Sequence, residues 1–174
     1  MFALAVAHAT GNPVLDAQSD FRRARRAHAA ARVGRWLGRS FGGTPRRSRP
    51  PALTDAATTV GGIAHLDVVP LCSIVGTVEP TTQFDASFRP TSELIRHRWE
   101  RIALAHRKGD ALPPIVLLAQ PDGYYVVDGR HRVSVARALG QRSIDRLVTG
   151  RPERPDPSLP GSSRHLRVLR PQAC

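Results

Sequence analysis

Lysine is nearly absent from this chain: of 26 basic side chains, 25 are arginine and only Lys108 is not. Such a bias points to GC-rich codon usage, so part of the basic balance reflects base composition rather than a partner. Cysteine is almost as scarce. Cys72 and Cys174 make neither a disulfide framework nor a metal-binding pattern. Cys72 falls in an apolar run and is expected as a small buried hydrophobe, and the usage suits a reducing cytoplasm. No apolar run approaches the ~20 residues of a membrane span, which argues against a membrane partner. Residues 1–9 are apolar, but they lack a positive lead-in and are short for a secretory signal. A P-loop, carboxylates paired at metal-ligand spacing, and Ser/His/Asp or Cys/His nucleophile arrangements are also missing. The common hydrolase and metalloenzyme readings therefore have thin support, and no metal site is predicted.

The formal charge is +12, and its distribution is uneven. Residues 1–50 hold ten arginines against Asp16 and Asp20, whereas residues 60–150 hold 11 basic and nine acidic side chains. The length of 174 residues allows one core with extensions rather than two cores. Residues 1–40 are expected as a basic N-terminal helical arm, 41–66 as a flexible linker, 67–150 as the globular domain and 151–174 as a proline-rich tail in which 165–169 could add a strand.

Chemistry concentrates at residues 124–140. Tyr124 to Val127 have the aromatic and β-branched composition of a strand. Gly129 supplies the backbone freedom of a tight turn. Arg130 to Leu139 follow a helical pattern with a polar stripe of Arg130, Ser134, Arg137 and Gln141, and Gly140 stands where a helix stops. Arg130, His131 and Arg132 crowd the first turn, where the helix dipole disfavours a cation by roughly 0.3–1 kcal/mol. Asp128 can offset part of this as a cap. An anion docked at the helix start explains the remainder, with backbone N–H groups, a glycine allowing close approach, a bidentate Arg132 and the His131 imidazole forming a phosphate cradle. The competing reading pairs Asp128 with Arg132 to stiffen the turn.

The run Val-Val-Asp-Gly-Arg-His-Arg-Val-Ser-Val-Ala-Arg-Ala-Leu-Gly (residues 126–140) resembles the signature of the ParB/sulfiredoxin superfamily. Its partition proteins carry Gly-Glu-Arg-Arg-x-Arg-Ala there, its sulfiredoxins Gly-Cys-His-Arg, and a free-serine kinase branch Asp-Gly-His-His-Arg. Gly129, His131, Arg132, Val135 and Ala136 keep the pattern. Arg130 occupies the sulfiredoxin cysteine position, which argues against repair of over-oxidised cysteine. Arg130 and Ser134 replace the partition-protein glutamate and second arginine, and no downstream Glu-Asn-x-x-Arg follows, which puts CTP hydrolysis in doubt. The resemblance covers residues 67–149. It implies an α+β fold with a small mixed sheet, and a segment after the first strand that faces a bound nucleotide. On that basis alone Asp85 and Arg89 become site candidates; otherwise Phe84 and Phe88 staple the loop to the core while Asp85 caps a turn.

The remaining elements fit that outline. Residues 14–40 show helical spacing of Ala17, Phe21, Ala24, His28 and Ala31, with Arg22, Arg25, Arg32 and Arg39 on another face. This helix either docks on the domain, meets nucleic-acid phosphates, lies on a membrane surface or binds a partner. Val68 to Val75 read as one strand, residues 76–90 as a long loop, and 91–109 as a helix whose Ile95, Trp99 and Ile102 face the core. Arg96, His97, Arg98, Arg101, Arg107 and Lys108 are then expected mostly on its outer side. Residues 115–118 and 124–127 should pair as a hairpin through Pro121-Asp122-Gly123, and 143–149 should form a last strand. The expected function is binding of a nucleotide or nucleic-acid phosphate, DNA-associated, in a regulatory or partition-related role. No cofactor is fixed; CTP or ATP with Mg²⁺ are the nucleotides the resemblance suggests, and a homodimer stays open. The enzyme alternative is a phosphotransferase, NTPase or nuclease using Asp128 and His131 as catalytic groups. A non-catalytic protein-interaction module is the third reading.

Overall fold

The computed structural model describes residues 10–40, 48–53 and 65–148. The elements in order are α1 (Pro13–Ser40), β1 (His65–Pro70), a 3₁₀ turn (Leu71–Ser73), β2 (Ile74–Thr77), a 3₁₀ turn (Glu93–Ile95), α2 (Arg96–Lys108), β3 (Ile115–Gln120), β4 (Gly123–Asp128), α3 (Arg130–Ala138) and β5 (Ser143–Val148). The class is α+β, with one five-stranded mixed sheet in the order β1-β5-β3-β4-β2. β3 and β4 form the expected antiparallel hairpin, β1 runs antiparallel to β5, and the β2–β4 and β3–β5 pairs are parallel.

The single strand expected over 68–75 is two strands on opposite edges of the sheet. Pro70 has no N–H to continue a ladder, and the chain tightens into the 3₁₀ turn that follows it. That turn spans about 6 Å at ~2.0 Å per residue. Edges of a flat five-stranded sheet would lie roughly 19 Å apart at ~4.8 Å per strand, so the sheet curls to bring them together. Arg137 holds the turn, donating from Nη2 to the carbonyls of Leu71 at 2.9 Å and Ile74 at 2.7 Å. Cys72, on this turn, is exposed rather than buried. Its apolar neighbours suggested burial, but the turn points it outward.

The segment expected as linker contributes to the sheet where it is described. Ala52 bridges Thr77 in parallel, Leu53 N–H donates to the Thr77 carbonyl, and Thr77 N–H donates to the Pro51 carbonyl at 2.9 Å. The approach is close at Gly76, where a Cβ would collide with the Pro51 carbonyl oxygen and lie 2.7 Å from a Tyr125 ring carbon. Residues 41–47 and 54–64 lie outside the described residues, as do 1–9 of the arm and the whole 151–174 tail, including the strand suggested at 165–169.

Two buried clusters meet at α3. One gathers Val69, Ile74, Phe88, Ile115, Val126 and Val133 over the sheet. The other joins α1 to α2 through Phe21, Phe84, Trp99, Ala103 and Val135. Phe21 packs its ring edge-on to Trp99 at 5.5 Å between centroids. Of the alternatives for residues 14–40, the first half of the helix is therefore docked. Asp16 and Asp20, buried on this helix, face Arg107 of α2, with Asp20 Oδ2 2.6 Å from its Nη2. That pair removes Arg107 from the outward set. α2 begins as 3₁₀, with the Ser92 hydroxyl capping Leu94 N–H at 3.1 Å, and ends at left-handed Gly109.

Candidate functional site

Strand β4 delivers Asp128 and Gly129 to the start of α3. Gly129 sits at φ 102°, a conformation that favours glycine. A Cβ there would overlap the Ile115 side chain and lie 2.8 Å from its Cβ. The turn is thus pressed directly onto β3. The first intrahelical bond runs from Val133 N–H to the Gly129 carbonyl at 3.0 Å. The amides of Arg130, His131 and Arg132 precede it and are the unpaired donors that every helix start carries. No side chain caps them, and the first turn holds no acid.

Asp128 does not act as the expected cap. Its Oδ2 accepts from Arg132 Nη2 at 2.5 Å instead. Arg132 Nη1 donates to the carbonyls of Pro113 and, at 2.7 Å, Pro114. The guanidinium placed in the sequence as the bidentate phosphate grip is spent on the protein itself, pinning the β3 approach to the α3 start. The pairing alternative describes Arg132, because two prolines leave their carbonyls in a non-ladder segment that needs a donor. One side of Arg132 borders a cleft of about 450 Å³ shared with His106, Asp110 and Asp145.

Arg130 and His131 are differently placed. Arg130 reaches Glu79 only at 3.4 Å, and that glutamate is mostly exposed. His131 packs edge-on against Phe84 with centroids 5.1 Å apart. Burial pushes its imidazole down from 6.5 to about 4, with Arg98 and Arg130 adding to the effect and Asp128 opposing it. It is therefore neutral at pH 7 and offers a single N–H. Arg98, which periodicity assigned to a plain outer face, is exposed on α2 yet close enough to act on His131. No pattern in the sequence marks that proximity, because it arises from the α2–α3 packing.

The loop after β2 does reach this site, but through Phe84 rather than Asp85 or Arg89. Asp85 is buried, accepting from Ser87 and Arg89 amides at 2.9 Å each and from His28 Nδ1 at 3.0 Å. Arg89 Nη1 turns toward the Ala27 carbonyl at 3.4 Å. Both tie the loop to α1, so neither stands in the cradle; the staple reading of this loop is the one observed. Of the arm residues, Arg22 and Arg32 are exposed, while Arg25 donates to the Thr91 carbonyl and to Glu93 at 3.3 Å. Arg39 belongs to α1, and its side chain lies outside the described residues.

Among the described residues, no group of three or more His, Cys, Asp or Glu side chains is placed to hold a metal, and no helix is long and apolar enough to cross a membrane. The site is thus a positively lined helix start with one neutral imidazole and one exposed carboxylate. No protein-family model matches the chain, and neither the curated proteins nor the solved structures give a match.

Proposed function

We propose that this chain is a small ParB/sulfiredoxin-like phosphate-binding protein that takes a nucleotide or a nucleic-acid phosphate at the start of α3, in a regulatory or partition-related role. The observation that carries the reading is a helix start with no cap and no acid, beside which Arg98 and Arg130 stand with few competing carboxylates. In this reading the three free amides and Arg130 hold phosphate oxygens, Arg98 neutralises further charge, His131 donates one hydrogen bond, and Arg132 braces the turn from behind. The nucleotide candidates are CTP and ATP, whose Mg²⁺ would approach exposed Asp128.

Binding is favoured over catalysis by the state of the two candidate catalytic groups. An imidazole with a pKa of about 4 is a weak base and, at neutral pH, almost never an acid. Asp128 is engaged by Arg132. A DNA partner is supported by exposed Arg22, Arg26 and Arg32 on α1 together with Arg98 and Arg101 on α2.

Calorimetric titration of the full chain with CTP, ATP and a short duplex, with and without Mg²⁺, tests the proposal. Loss of one charge-assisted contact, about 1.5–3 kcal/mol, should weaken phosphate binding tenfold or more in Arg130→Ala. Wild-type affinity for every ligand in both Arg130→Ala and Arg98→Ala would refute it. A salt series separates the two ligand types, since backbone binding falls steeply with salt.

A further inference from the structure

Away from the α3 start, a cavity of about 330 Å³ opens between α1, the loop after β2 and the Ser134–Arg137 side of α3. It lies at the small end of ligand sites, which run ~300–1,000 Å³. Arg23 and Ala27 line it from α1, Ser87 and Arg89 from the loop, and Ser134 and Arg137 from α3. None of the residues Gly129 to Arg132 takes part.

Three arginines thus line one half-open cavity. The acids that touch them are already occupied. Asp20 accepts from Arg23 at 2.5 Å and lies 2.6 Å from Arg107, and Asp85 serves His28 and two backbone amides and lies 3.8 Å from Arg89. Arg137 has no carboxylate partner among the described residues. It is stacked with its guanidinium carbon 4.8 Å from the Phe88 ring centre and bonded only to two carbonyls. Burial pushes its guanidinium below the ordinary value, with Asp85 opposing. A buried cation in this condition gains from any anion that reaches it. The Ser134 hydroxyl accepts the Trp99 indole N–H at 2.9 Å, which leaves its own proton to donate. Phe88 is held at φ 60°, rare for a residue with a side chain, and this bend sets Ser87 and Arg89 on the cavity wall.

We infer that this cavity is a second ligand site, for a small compound bearing a phosphate monoester. Three guanidiniums and two hydroxyls match the three terminal oxygens of a phosphate dianion better than the two of a carboxylate. The uncharged part of the ligand rests against Ala24 and Ala138, which line the same cavity. The site does not depend on the binding proposed at the α3 start.

The test is titration of the full chain with inorganic phosphate, followed by ³¹P line broadening and calorimetry. Ionic strength is held constant with sodium chloride, because the chain is strongly basic. A saturable component is expected that Ala27→Phe abolishes by filling the space and that Arg89→Ala weakens at least tenfold. The same component persists in Arg130→Ala, which removes only phosphate bound at the α3 start. Acetate should bind at least tenfold more weakly. Circular dichroism verifies that each variant is folded, and Arg89→Ala keeps the test decisive if Ala27→Phe is not. Wild-type binding in Arg89→Ala, loss of all phosphate binding in Arg130→Ala, or phosphate acting no differently from chloride overturns the assignment. Equal binding of acetate overturns the phosphate preference.

Discussion

Replacing Gly129 by alanine tests the link between the glycine, the strand beneath it and the ligand-facing helix start. Two costs add. Alanine at φ 102° lies outside the regions L-residues favour, costing about 1–2 kcal/mol or more. The new methyl also lands on Ile115, which is fully buried, and overpacking of this kind costs about 1–3 kcal/mol. A loss of roughly 2–5 kcal/mol is expected, read as a fall in urea midpoint with an unchanged slope. The clash half of the cost can be isolated with a cycle. Ile115→Ala alone costs about 2–5 kcal/mol through the cavity it leaves. In the double variant the methyl occupies part of that cavity, so the combined loss should fall short of the sum by roughly 1–3 kcal/mol. Phosphate affinity should drop in Gly129→Ala and recover in part in the double variant, as the helix start returns to its seat. A Gly129→Ala protein within about 0.5 kcal/mol of wild type, or strict additivity in the cycle, would refute the argument that this turn is wedged against β3.

Other consequences are equally direct. Phe21→Ala should cost about 3–5 kcal/mol in chemical denaturation, because the ring is fully buried against Trp99; a change near zero would mean that the helix is a free arm. The unfolded chain protonates His131 near its ordinary value of 6.5, and the folded chain only near 4. The stability from this group is therefore complete above pH 6.5 and is lost as pH falls toward 4. Because the ring is only half buried, the loss is on the order of 1–2 kcal/mol after screening. The wild type should lose that much more than His131→Asn over this window, and its phosphate affinity should rise relative to that variant's from pH 7 to pH 5, since a bound anion favours the imidazolium; equal pH profiles in the two proteins contradict this. Arg132→Ala should destabilise the fold by about 1–3 kcal/mol through the orphaned proline carbonyls. It should weaken phosphate binding less than Arg130→Ala does, whereas lost affinity with intact stability would return the Arg132 fork to the ligand.

The parts legible in the sequence were those set by local rules. The 3.6-residue spacing of Ile95, Trp99 and Ile102, the Pro-Asp-Gly hairpin and the Gly129 and Gly140 punctuation all lie where short-range chemistry puts them. What stayed hidden depends on distant partners. The stripe of Ser134 and Arg137 looks solvent-facing from its polarity alone. Yet Ser134 is buried under the Trp99 indole, 35 residues away, and Arg137 binds carbonyls more than 60 residues away. Pro70 hinted at an edge position or a late start, but the crossing from one edge of the sheet to the other was not legible, because the residues on both sides are apolar and only the curl of the sheet separates them. At the site, the cluster of cations was legible, but not the division of labour among them. Arg132 became a brace because Pro113 and Pro114 leave carbonyls beside it, and the sequence around residue 132 carries no trace of that.

The short stretch at residues 50–53 has an effect on how copies of this molecule can meet. By laying its own backbone against Thr77, it hems one margin of the sheet, and Pro50 and Pro51 offer no N–H through which an incoming strand could extend that hem. Among the described residues the other margin, β1, pairs only with β5 and exposes Leu66 and Val68. Strand addition between molecules is thus disfavoured at the hemmed margin, where two prolines leave little ladder for an incoming strand to extend.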